Sequence, residues 1–417
     1  DIAQCLVGSE MCIRDRFCIG GMTGGGGMTD VAFGNSAKFS YFPALYNIDP
    51  GRESSRLSVN VNGENYYFYT PEEGPGGIYR QTAEGPALIY ATETLSAIVS
   101  DGQSLYFSYA SDPDGAVYDN IVRTDLSGRE LQSTRSAHHT ARLLLTEDGL
   151  FALAHFLSST GSYNGVNESN FYFFPGADLA AEPVNLLEAG IEYTSVKNTS
   201  DADSAVDFYF ARVGDTVFSY LDHNSFEIFD LSTGHYVSAT DVYYPTIWRE
   251  ENGTLTGYRI SFETGDNLIR IREDGVTEIP VPEEVAAAQR YTHAVPAGDR
   301  ILMFNSVNYF GGRKRQDTNF ILAYDLESGT YEKLADLPAE WLILMADPEG
   351  YVIYTGESGE VRQYAYGSDE ALKSQGGFSD YCYGMERCGD LLLFYDSDDF
   401  NYRTLERINF RVLFEMV

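Results

Sequence analysis

Basic residues, tryptophan and long apolar runs are what this 417-residue chain has least of. Lys and Arg number 28 against 62 Asp and Glu, for a formal net charge of -34 at pH 7. A field of that sign repels a phosphate backbone, which excludes nucleic acid as an expected partner. It serves solubility and would attract cations or basic ligands. No apolar run approaches the roughly 18–20 residues of a transmembrane helix. Cysteine is confined to Cys5, Cys12, Cys18, Cys382 and Cys388, with no CxxC and no Cys/His spacing of a zinc site. On one extended strand Cys382 and Cys388 would stand about 20 Å apart at about 3.3 Å per residue, too far to pair unless the chain turns between them. The six His offer no zinc-binding pair, and the adjacent His138 and His139 would point to opposite faces of a strand. A nucleophile elbow and a phosphate-binding glycine loop are also missing, so acyl and phosphoryl transfer lose their usual signatures. Carboxylate pairs for glycoside chemistry stay open, since sequence does not show their separation. Helix-forming stretches are scarce too; only Glu283–Gln289 (EEVAAAQ) reads as one or two turns.

What is present is strand and turn: 31 Tyr, 25 Phe and 40 Gly. Leu95–Ser133 shows the pattern best. An apolar run (Leu95–Ser100) meets Asp101-Gly102, and an alternating aromatic run follows (Leu105–Tyr109). An acidic loop (Ser111–Asn120) leads to Ile121–Asp125, a Ser127-Gly128 turn and Arg129–Ser133. Two hairpins in succession are the reading, because Asp-Gly between alternating runs is a strong hairpin signal. The same unit recurs around first-hairpin glycines Gly63, Gly102, Gly149, Gly214, Gly253, Gly298, Gly350 and Gly389, which by subtraction lie 39, 47, 65, 39, 45, 52 and 39 residues apart. Four strands per unit at a period of about 40–50 residues is the signature of a β-propeller, in which packing blades face to face buries both faces of each sheet. The expectation is an all-β chain forming a single propeller of eight four-stranded blades, with seven as the alternative. The blades fall near 56–92, 93–138, 139–190, 191–240, 241–289, 290–338, 339–374 and 375–417, after a leader over 1–28. An N-terminal strand within 31–48 would close the ring, since the second hairpin of the last unit, Leu405–Val417, shows no clear turn.

Gly311-Gly312 followed by FILAYDLESGTYEKLADLP (Phe320–Pro338) resembles a kelch repeat: a double glycine, a strand, Tyr324-Asp325, Tyr331 and Leu337-Pro338, with Tyr where Trp is usual. Units such as IYRQTAEGPALIY and IVRTDLSGRELQ are more similar to bacterial propeller domains of unknown function. That resemblance implies a bacterial, extracytoplasmic protein. The opening CLVGSEMCIRDR, within residues 1–16, resembles a translated sequencing-adapter read-through of metagenomic origin. Cys18 ahead of the Gly-rich Gly20–Gly27 resembles a lipoprotein start, yet Arg16-Phe17 precede it where such a cleavage site needs small and apolar residues.

In a propeller the a–b and c–d turns share one face, while the b–c loops and the d–a loops share the other. The first set is short and uniform here and the b–c loops are long and varied, which makes their face the candidate for function. The loop SDPDGAVYDN brings Asp112, Asp114, Tyr118 and Asp119. Its alternating Asp resembles the opening of a calcium loop without the distal bidentate Glu, and Asp-Pro-Asp-Gly is also a good turn with no ligand. Asp396 and Asp399 (DSDD) pose the same choice; calcium is the only cofactor suggested and no metal site is assigned. Ser158–Asn170 carries Tyr163 and Asn164, a ring to stack and an amide to hydrogen-bond on sugar or peptide. Tyr309–Gln316 carries Tyr309, Arg313 and Arg315 in the only basic cluster of the chain, suited to a carboxylate or an acidic partner. The reading is a non-enzymatic binding or scaffold module, expected as a monomer, for a protein, peptide or glycan. The alternative is a glycoside hydrolase or lyase with paired carboxylates in the channel.

Overall fold

The computed structural model describes residues 57–71, 73–111, 118–136, 139–155, 170–186, 189–197, 207–221, 225–238, 246–260, 267–282, 293–304, 319–339, 341–355, 360–376, 382–396 and 409–415. Among them there are strands and turns and no helix. Glu283–Gln289, Gly311-Gly312 and the segment 31–48 lie outside the described residues.

Eight antiparallel sheets follow one another along the chain. The first holds β1 (Ser58–Val61), β2 (Glu64–Tyr69), β3 (Gly77–Thr82) and β4 (Gly85–Ala91), and the second β5 (Ala97–Ser100), β6 (Ser104–Ser111), β7 (Tyr118–Asp125) and β8 (Glu130–Ser136). The third contains β9 (His139–Thr146), β10 (Gly149–His155), β11 (Asn170–Pro175) and β12 (Val184–Asn185). The fourth has five strands: β13 (Thr194–Val196), β14 (Phe208–Val213), β15 (Thr216–Leu221), β16 (Ser225–Asp230) and β17 (Tyr236–Ser238). The fifth is β18 (Ile247–Glu251), β19 (Thr254–Ile260), β20 (Leu268–Arg272) and β21 (Gly275–Ile279). β22 (His293–Ala297), β23 (Arg300–Phe304), β24 (Asn319–Asp325) and β25 (Tyr331–Leu337) make the sixth. The seventh is β26 (Trp341–Ala346), β27 (Gly350–Thr355), β28 (Glu360–Ala365) and β29 (Lys373–Gln375). β30 (Cys382–Cys388), β31 (Leu391–Asp396) and β32 (Asn409–Glu415) make the eighth.

The chain is an all-β single propeller. Its complete four-stranded blades number seven, the alternative count, with β13 added to the fourth; the eighth unit is a sheet of three described strands. Two details depart from the sequence expectation for physical reasons. Within the hairpin expected over Leu405–Val417, the described residues Asn409–Glu415 form one strand, β32, which pairs with β31 across a single register shift. β13 is three residues long, too short for an alternating pattern to stand out, and forms by pairing with β14.

Apolar side chains alternate into two seams per sheet. Leu105 and Phe107 of β6 pack against Val59, Val61 and Ile78 of the first sheet, while Tyr106 between them packs against Leu143, Leu150 and Phe174 of the third. Burial on both sides explains why Ser104–Ser108 is buried without a break. Each fully buried Leu, Ile or Phe contributes about 1.5–3 kcal/mol. Similar seams join the third sheet to the fourth, the fourth to the fifth, the fifth to the sixth and the sixth to the seventh. Arg387 of the eighth sheet reaches Asp347 of the seventh at 3.5 Å, and Lys373 lies over the Phe414 ring. The ring closes where Leu391, Leu393 and the buried Cys388 meet Tyr67 and Tyr79 of the first sheet. Cys382 and Cys388 occupy the two ends of one strand, β30.

The first-hairpin turns obey local chemistry. Asn62-Gly63 and Asn252-Gly253 hold positive φ at both positions, 54° with 85° and 51° with 77°. That is the two-residue hairpin conformation for which Asn-Gly is preferred. Gly350 is an exception among the eight repeat glycines, without positive φ; a Cβ there would sit 2.0 Å from the Tyr364 carbonyl oxygen, so closeness of β28 is what requires it.

Candidate functional site

The faces of the ring follow from the hairpins. The β1–β2, β5–β6, β9–β10, β14–β15, β18–β19, β22–β23, β26–β27 and β30–β31 turns take two or three residues each. Neighbouring sheets touch through them. Asn62 Nδ2 donates to the Gly102 carbonyl at 2.9 Å, Arg212 Nη1 to Glu250 at 2.6 Å, Arg249 Nη1 to the Gly298 carbonyl at 3.0 Å, and Asn65 Nδ2 to Asp390 at 2.8 Å. These bonds collect the turns on one face. Antiparallel pairing then sends the second-to-third-strand connections out of the opposite end. Those connections are unequal, from residues 222–224 to residues 156–169 and 305–318.

The sequence-derived candidates belong to this second set. Asp112, Asp114, Tyr163, Asn164, Tyr309, Arg313, Arg315 and Asp399 lie outside the described residues. Tyr118 and Asp119 open β7, opposite Ser111 and Ala110 of β6, and Asp396 closes β31 opposite Asn409. These three therefore sit at the strand ends from which the loops leave. His139 opens β9. Among the described residues no three His, Cys, Asp or Glu side chains gather as a metal site would require.

The opposite face is held by a recurring acid. Asp125, Asp230 and Asp325 each end a third strand and fold back on their own turn. The Asp125 carboxylate accepts from the Ser127 hydroxyl at 2.6 Å and from the Arg129 backbone N–H at 3.0 Å. Those bonds, the Ser127 hydroxyl foremost, hold its pKa down to about 2. Asp325 is lowered as well, chiefly by the Ser328 backbone N–H. Asp230 accepts from Ser232 and Thr233 at 2.7 and 2.9 Å. The sequence shows these as Asp-Leu-x-(x)-Gly; their role is to seal turns.

A polar cluster invisible in the sequence lies in the seam between the fourth and fifth sheets. Val217 and Phe229 point into this seam, so Ser219 and Glu227, two residues along β15 and β16, do too. Ser219 and Glu227 are cross-strand partners, and the Ser219 hydroxyl donates to Glu227 at 3.4 Å. From the fifth sheet the Thr246 backbone N–H reaches the same carboxylate at 3.3 Å, and Trp248 Nε1 donates to Ser219 at 3.4 Å. Arg259 of β19 is 2% exposed and is the largest of the fully buried side chains; Glu227 is 3% exposed. Alternation is the only signal for these residues, and it identifies them only once strand register is known.

No family model matches the chain, and no curated protein matches it. Among solved structures the chain is similar to BamB from Moraxella catarrhalis, with a TM-score of 0.43 and 11% identity over 81% of this chain and 92% of that one. It is also similar to the computationally designed Ika8 protein, with a TM-score of 0.42 and 8% identity over 89% and 99%. A third is the Neurospora crassa Pan2 WD40 domain, with a TM-score of 0.36 and 9% identity over 73% and 86%. The propeller assignment rests on the sheets and their order.

Proposed function

We propose that the protein is a non-enzymatic binding or scaffold module that takes a protein, peptide or glycan on the face carrying the second-to-third-strand loops, in an extracytoplasmic bacterial setting. The observation that carries this reading is the asymmetry of the ring. One face is tied by two- and three-residue turns; the other receives connections as different as residues 222–224 and 305–318. A rigid frame with unequal loops at one end is how binding surfaces are built on repeat folds. Within it, Tyr163 with Asn164, Tyr309 with Arg313 and Arg315, and the acids Asp112, Asp114, Asp119, Asp396 and Asp399 are the proposed contacts. The test is the full chain applied to glycan and peptide arrays, beside a glycosidase screen on every glycan that binds. Binding without turnover is expected. Turnover abolished by one carboxylate substitution would overturn the reading in favour of a hydrolase or lyase.

A further inference from the structure

We infer that Glu227 and Arg259 form a charge-compensated lock across the seam between the fourth and fifth sheets, coupled through Thr246. Glu227 reaches Thr246 directly, accepting its backbone N–H at 3.3 Å. Arg259 lies near it by strand order. Ile247 with Tyr258 is the last pair of the β18–β19 ladder, and Thr246 and Arg259 are the residues next to that pair. The side on which Arg259 stands follows from its neighbours. Tyr258 and Ile260 pack into the seam with the sixth sheet, so Arg259 between them faces the fourth. Gly257 is on that same face: a Cβ there would meet the Trp248 ring at 2.9 Å and the Thr246 methyl at 3.0 Å. The missing side chain leaves room beside Trp248 for this arrangement.

Both charges are thus enclosed in one seam, on either side of one residue. Enclosing a single charge would cost several kcal/mol, whereas two opposite charges in the same low-dielectric space offset each other even without direct contact. Glu227, Thr246 and Arg259 lie near the ends of β16, β18 and β19 that border residues 222–224, 239–245 and 261–266 in the chain.

The experiment is a double-mutant cycle on the full chain with Glu227→Gln, Arg259→Met and both together, read by thermal melting. Each single change is expected to lower the midpoint by roughly 5 °C, since it removes one of two opposite charges buried in the same seam. The double variant should melt no lower than the worse single. If a single variant fails to fold, a folded double variant supports the lock. A double variant that melts below the worse single, up to drops that simply add, would overturn it. Ser219→Ala, which touches only the hydrogen bonds to Glu227 and Trp248, should shift the midpoint far less than either charge substitution; an equal shift would assign the effect to hydrogen bonding and overturn the electrostatic reading.

Discussion

At the scale of single residues, a few positions carry constraints that neighbours cannot relieve. Asp125 is held below its ordinary pKa by Ser127 and Arg129. An Asp in the unfolded chain titrates near about 3.9. The folded pKa is the lower one, so its contribution to stability is fully present above that value and is lost as pH falls toward about 2. Melting followed from pH 5 to pH 2 should show stability falling through this window, and Asp125→Asn should flatten the fall while lowering the midpoint slightly at neutral pH. An unchanged acid limb in the variant would contradict the assignment. Gly350 is constrained by space: Gly350→Ala places a methyl against the Tyr364 carbonyl. Overpacking of that kind costs about 1–3 kcal/mol, which urea unfolding would register.

Elements were legible in proportion to how local their causes are. Asn62-Gly63 and Asn252-Gly253 announce hairpins because the turn conformation depends on those two residues alone. The alternation of Leu105, Tyr106 and Phe107 announces a strand for the same reason, although only the packed sheets show that Leu105 and Phe107 serve one seam and Tyr106 the other. β13 escaped notice because three residues have no pattern and form a strand only by pairing with β14. The Glu227 and Arg259 cluster is not legible for a further reason: it is assembled from four strands of two sheets, and nothing in the local sequence of any one of them marks it. Packing energetics belong to this scale as well. Leu393 is fully buried where the last sheet meets the first, so Leu393→Ala should cost about 2–5 kcal/mol, read by chemical denaturation. A cost below about 1 kcal/mol would mean that this seam does not hold the ring shut.

At the scale of the whole molecule, the two faces of the ring are built differently. Among the described residues, apolar seams join the first seven sheets in chain order and the eighth to the first, while the Arg387–Asp347 pair and Lys373 over Phe414 link the seventh to the eighth. One face is stitched by turn-to-turn bonds such as Asn62 to Gly102 and Asn65 to Asp390. The connections at the other end differ in length, from residues 222–224 to residues 305–318, a difference that costs little because loop-closure entropy grows slowly with length. The most direct measurement compares binding and melting of two variants on the ligands found by the arrays. In one, residues 156–169 are replaced by an Asn-Gly turn joining β10 to β11. In the other, the exposed acid Asp215 of the turn face is changed to Asn. The account predicts that the first variant melts within a few degrees of the parent and loses binding at least tenfold, while the second keeps both. Binding unchanged by the loop replacement and lost with Asp215→Asn would contradict it.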